Sequence, residues 1–108
     1  MSELTRKYLP VLKRIRKMGD KARKEYVRKC DRKFVDCVSE CAKNIIKGNV
    51  PLSDRQMTRL RRKRQDLRAL SKKKTSVRAK RKILQKGGFL TALLPPVLGV
   101  LGSLLMQN

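Results

Sequence analysis

With 30 Lys+Arg against 8 Asp+Glu in 108 residues, the chain carries a formal net charge of +22. Self-repulsion on that scale opposes a compact state unless a polyanion neutralises it, so the expected partner is nucleic acid or an anionic membrane surface. His and Trp are absent, no glycine-rich phosphate loop follows a strand, and the carboxylates Asp36 and Glu40 read as salt-bridge partners, so an enzyme is not expected.

The opening MSELTRKYLPVLKRIRK has basic residues but no apolar run long enough for a signal peptide. Ser2 is a candidate cap, and Leu4, Tyr8, Leu12 and Ile15 recur at helical spacing. The first helix is placed at 9–18 with Pro10 in its first turn, ended by Gly19, with Asp20 capping the next. A second helix over 21–47 carries Val27, Cys30, Phe34, Val38, Cys41 and Ile45 in alternating steps of three and four, a heptad-like seam suited to self-association. Gly48-Asn49 stops it, and Pro51 follows.

LSDRQM is the clearest local signal: Ser53 as N-cap, Gln56 completing a capping box, and Leu52 placed to staple against Met57. The third helix spans 54–70, with an apolar edge of Met57, Leu60, Leu67 and Leu70 that is interrupted at Lys63-Arg64. Thr75 or Ser76 caps a fourth helix running to Lys86, and Gly87 is placed for a left-handed C-terminal cap. No repeat or strand alternation occurs. The expected class is all-α: about four amphipathic helices, elongated or loosely packed, then a hydrophobic Pro/Gly-interrupted tail. Three regions follow: two basic helices over 1–48, a highly basic helical nucleic-acid-binding region over 49–86, and a Gly-Gly hinge with the tail over 87–108.

From Arg59 to Lys86 there are 14 Lys/Arg and one acid, Asp66. The third helix supplies Arg59, Arg61, Arg62, Lys63, Arg64 and Arg68 as candidate contacts; the connection adds Lys72, Lys73 and Lys74. The fourth helix adds Arg78, Lys80, Arg81, Lys82 and Lys86. A solvated face usually mixes signs, and this one does not; such density displaces counterions from a phosphate backbone and binds it with steep salt dependence. No aromatic residue lies in the stretch, so base-stacking platforms are missing and binding without sequence preference is expected. The same tract suits a nuclear-import signal.

The 3 Cys, an odd count, do not suit a secreted disulfide framework and point to a reducing compartment. Cys30, Cys37 and Cys41 read as buried small hydrophobes on one helix side, and without His they do not complete a zinc set; no metal or cofactor is expected.

The tail, Phe89 to Met106, runs 18 residues without a charge. A straight helix of that length falls just short of the ~30 Å hydrocarbon core, and Pro95-Pro96 is expected to break it near its middle. The neighbouring helices' apolar stripes are expected to be too narrow to cover it. A re-entrant or interfacial membrane insertion is therefore favoured over burial in a larger assembly or a simple anchor. The candidate insertion residues are Phe89, Leu90, Leu93, Leu94, Pro95 and Pro96, then Val97, Leu98, Val100, Leu101, Leu104 and Leu105.

A basic peptide entering GGFLTALLPPVLGVLGSLL resembles the core protein X (mu precursor) of adenoviruses over the junction and tail. CVSECAKNIIKGNVPLS followed by KKKTSVRAKRKILQKGGFLTALL is similar to short basic virion proteins of adintoviruses and Polinton-like elements, from about Cys37 onward and more loosely before it. The resemblance implies a virion protein that packs viral DNA, with a tail that handles membrane, and with capsid proteins or a viral protease as further partners. It also implies cleavage between Gly88 and Phe89, although the adenovirus-type site wants Leu, Ile or Met where this chain has Gln85, with Leu84 one position early. The alternative is that Gly87-Gly88 is only a cap and hinge. The function expected is binding and condensation of DNA, most simply duplex, without sequence specificity, helped by the basic faces of the first two helices, in the virion and in the host nucleus during assembly. The rival is a membrane-lytic or membrane-anchored protein whose basic tract binds anionic lipid. A cellular nuclear or ribosome-associated protein would explain the charge and leave the tail without a purpose.

Overall fold

The computed structural model describes residues 3–106, with side chains through Leu101. Every regular element among them is a helix: α1 (Glu3–Lys7), α2 (Leu9–Lys17), α3 (Asp20–Lys29), α4 (Arg32–Ile46), α5 (Asp54–Arg61), α6 (Arg64–Ser71), α7 (Val77–Gln85) and α8 (Phe89–Met106). The all-α class holds, and the expected count of four does not, because two expected helices are each split in two, a short α1 precedes the first, and the tail is itself helical. Ser2 lies outside the described residues.

The long helix expected over 21–47 breaks at Cys30-Asp31. Asp31 has an extended backbone, and its side chain accepts from the Phe34 N–H at 2.9 Å, starting α4 afresh. The helix expected over 54–70 breaks where its apolar edge lapses: Arg62 closes α5 and Lys63 (φ −111°) opens α6. At the first junction Gly19, not Asp20, is the N-cap of α3. Asp20 instead pairs with Arg23 at 3.0 Å. Buried Arg23 also donates to the Ile15 and Met18 carbonyls, closing the C-terminus of α2.

Other local signals appear as written. The capping box forms, with Ser53 Oγ accepting from Gln56 N–H at 3.2 Å and Ser53 N–H donating to Gln56 Oε1 at 3.0 Å. Met57, however, stays exposed instead of completing the apolar edge. Gly48 (φ 79°) ends α4 in a Schellman motif, with Asn49 N–H on the Asn44 carbonyl and Gly48 N–H on that of Ile45. Ser76 caps α7. At the far end of α7 the left-handed residue is Gly88 (φ 81°), not Gly87.

Two helices form the centre. On α4, Phe34, Val35, Cys37, Val38, Cys41 and Ala42 are all fully buried, and the helix packs against α1, α6, α7 and α8. The α8 helix packs against α2, α4, α5 and α7. It runs on through Pro95 and Pro96 where a break was expected. Each proline costs about 3 kcal/mol in a helix interior. Burial of Leu93, Leu94, Val97 and Leu101, each at most 1% exposed, returns roughly 1.5–3 kcal/mol apiece, so packing outweighs the lost backbone bonds.

The expectation that neighbouring stripes are too narrow to cover this segment fails for a geometric reason. Leu9, Leu12 and Ile15 of α2, Leu60 of α5, and Ile83 and Leu84 of α7 each bring a narrow stripe, and the stripes meet around α8. The Cα radius of gyration is 12.8 Å, against about 13 Å for a compact domain of this length. The elongated or loosely packed arrangement is thus replaced by one core that draws on all three expected regions.

Candidate nucleic-acid interface

Burying the apolar stripes of α5, α6 and α7 turns their cations outward. Arg59, Arg61, Arg62, Arg64 and Arg68 are exposed on α5–α6, as are Lys72, Lys73 and Lys74 in the connection and Arg78, Lys82 and Lys86 on or just after α7. The break between α5 and α6 concentrates them. A cleft of about 460 Å³ there is lined by Arg61, Arg62, Lys63, Arg64 and Lys86, with Gln65 and Asp66. Asp66 is engaged by Lys86 Nζ at 2.9 Å. Among the described residues, Arg61, Arg62 and Arg64 have no acidic partner within ion-pair distance. A guanidinium with no internal partner breaks no existing bond when it meets a phosphate oxygen, and its fork suits two oxygens at once.

Three of the expected contacts are placed differently. Lys80 is 7% exposed. Arg81 is half-buried, and its Nη2 donates to the Cys30 carbonyl at 2.7 Å, tying α7 to the end of α3. Lys63 is half-buried against the α7–α8 turn, where its Nζ lies 3.6 Å from the position a Cβ on Gly88 would take. The signal for the first two was present in the sequence. Lys80 and Arg81 fall three and four residues after Val77 and before Leu84, on the apolar side of their helix.

The expected membrane-insertion residues lie mostly inside the core. Phe89, Leu90, Leu93, Leu94, Pro96, Val97, Leu98 and Leu101 are buried, and Pro95 and Val100 are half-buried. Leu104 and Leu105 lie outside the described side chains. Among the described residues no single helix is long and apolar enough to cross a membrane; α7 and residues 89–101 reach that length only together, across a 95° bend. Gly87 is exposed, whereas Phe89 is 1% exposed and its N–H already bonds the Lys86 carbonyl. A protease requiring an extended strand would reach the Gly88–Phe89 bond only after the first turn of α8 opens.

All three cysteines are buried and free. Burial pushes the Cys30 thiol up, and its Sγ donates to the Val27 carbonyl at 3.0 Å. A hydrogen bond with Cys37, then burial, raises the Cys41 thiol. Protonated thiols in this setting pack as small hydrophobes. The break at Asp31 puts Cys30 outside the helix that carries Cys37 and Cys41, so they do not share one helix face. Among the described residues no group of His, Cys, Asp or Glu is arranged to hold a metal ion.

Sequence reading missed one arrangement. Three of the four aromatics gather away from the basic tract: Tyr8 and Tyr26 stand edge-on to Phe34 with ring centroids 6.0 and 5.3 Å away. Their helical spacing marks them as packing residues, and the tight fit to Phe34 leaves only half-buried edges outside. No protein-family model, curated protein or solved structure matches the chain.

Proposed function

We propose that the protein binds and condenses nucleic acid, duplex DNA in the first instance, through the outward cations of α5–α7 and without reading base sequence. The observation that carries this is the cleft at the α5–α6 break, where five cations converge and the one carboxylate is already paired. The mechanism is charge neutralisation: each exposed Lys or Arg of the α5–α7 surface takes about one phosphate, releases a counterion and contributes ~0.9 to the salt slope of log affinity. A compact body with cations on several sides bridges neighbouring duplexes, which is what condensation requires. In the setting the resemblance implies, the duplex is a viral genome packed in a virion.

The membrane reading is favoured by one observation, the combined length and hydropathy of α7 and α8. It requires α8 to leave the core. The two readings separate when full-length protein is mixed with duplex DNA and, in parallel, with vesicles of anionic phospholipid across a salt series. Nucleic-acid binding predicts tight duplex affinity with a steep salt slope and intact vesicles. Vesicle leakage with duplex affinity no better than that of a simple basic peptide would reverse the assignment.

A further inference from the structure

A second cleft, of about 420 Å³, lies between α4 and the connection leading into α7. From α4 it is lined by Arg32, Asp36, Ser39, Glu40 and Lys43; from the facing segments come Ser71, Lys73, Thr75, Val77 and Lys80. Lys80 lines it while only 7% exposed. Among the described residues its ammonium has no hydrogen-bond or ion-pair partner. An ammonium left with little water contact at the floor of a cleft gains more from an arriving anion than a fully exposed one does. Its carboxylate neighbours do not fill that role: Asp36 acts on Lys80 only at longer range, and Glu40 accepts from Thr5 Oγ1 at 2.9 Å. Burial lowers the Lys80 pKa; Asp36 opposes that, and Lys43 and Arg32 reinforce it.

We propose that this cleft is a binding site for a phosphate group, with Lys80 at its floor, Arg32, Lys43 and Lys73 around it, and the Thr75 hydroxyl as a further donor. Four cations against two carboxylates leave the lining at +2, the complement of a phosphomonoester dianion. The first turn of α7 borders the same space, and α7 is 9 residues long, so its amino end adds to the positive field. The volume is in the range of small-molecule sites. Because Lys80 is recessed, the site differs in kind from the outward surface of α5–α6, and the inference does not rest on duplex binding.

The test is thermal unfolding of the full chain in inorganic phosphate against chloride at matched ionic strength. Saturating phosphate is expected to raise Tm by about 5 °C over chloride. Lys80→Met, which keeps the length and drops the charge, is expected to lose that increment. Lys21→Met, equal in charge loss but remote from the cleft, keeps it. Lys73→Met, at the exposed rim, is expected to weaken phosphate roughly tenfold and gives the same answer should the buried variant fail to fold. The source of the phosphate is read by competition with a duplex carrying or lacking a 5′-phosphate. Displacement by the phosphorylated duplex alone assigns a nucleic-acid end, and displacement by neither assigns a free small phosphate. The proposal is overturned if phosphate gives no increment over chloride, or if Lys80→Met and Lys73→Met respond as Lys21→Met does.

Discussion

A charge of +22 attracts any polyanion, so affinity alone does not locate an interface. Two charge-matched triple variants do. One replaces Arg61, Arg62 and Arg64 with Gln; the other replaces Lys13, Lys17 and Lys24, which are exposed on α2 and α3. Gln has nearly the helix propensity of Arg and Lys, so neither change should cost the fold much. Each variant loses three charges. If the three arginines each meet a phosphate, removing them reduces the slope of log K against log salt by about 2.7, at ~0.9 per contact. With the release term vanishing near 1 M salt, the same three contacts are worth about 2.7 decades at 0.1 M, roughly 500-fold in affinity. Fluorescence anisotropy of a labelled duplex, titrated at four or more salt concentrations, reads both numbers. The α2–α3 triple is expected to shift affinity slightly and leave the slope nearly unchanged. Equal loss of slope in both triples would sink the interface: binding would then follow total charge, with no privileged surface.

Two further outcomes follow from the core and from Lys80. A chain ending at Gly88 is expected not to fold, because it lacks Phe89, Leu90, Leu93, Leu94, Val97 and Leu101, each at most 2% exposed. Their burial is worth about 9–18 kcal/mol at roughly 1.5–3 each, against the ~5–15 kcal/mol that holds a domain together; a cooperative helical melt of the 1–88 chain by circular dichroism would refute the shared core. Lys80 makes stability depend on alkaline pH. Its folded pKa lies below its ordinary 10.5, so between those two values the unfolded chain holds more protons and stability rises with pH. Denaturant titrations across that window are expected to show a shallower rise for Lys80→Met than for Lys21→Met, and equal rises would contradict the burial of a charged Lys80.

Much of the packing was legible, and the reason is periodicity. Val27, Cys30, Phe34, Val38, Cys41 and Ile45 are all buried as their spacing requires. What spacing did not disclose was that two helices share that seam. A capping Asp within a basic run looks like one more polar residue until its carboxylate is seen on the Phe34 N–H. The candidate interface was legible at the level of composition: eleven of the fourteen tract cations are exposed. The other three were hidden by the habit of reading every Lys and Arg as solvated. Lys80 and Arg81 sit on an apolar stripe, as Arg23 does ahead of Val27, and position on the helix decides exposure more strongly than residue type. The coverage of α8 was not legible because each neighbouring stripe is narrow in the sequence, whereas burial comes from α2, α4, α5 and α7 converging in space.

That shared burial also bears on how the two halves of the chain relate. A segment apolar on all sides next to a polycation suggests two devices joined by a hinge. In the folded chain they are interdependent: Leu60, Ile83 and Leu84, from the helices that carry the cations, are part of the wall around α8. Removing α8 from that wall exposes the inner face of α5 and α7 and loosens the scaffold that holds Arg61, Arg62 and Arg64 together. Membrane insertion of α8 and ordered binding of duplex at the α5–α6 cleft would therefore draw on the same contacts and compete. In the proposed function, neutralisation of the outward cations by phosphate would relieve the repulsion that opposes the compact state, so duplex binding would stabilise the arrangement in which α8 is covered. The apolar segment serves the basic one as its core, and a bound polyanion would in turn keep that core closed.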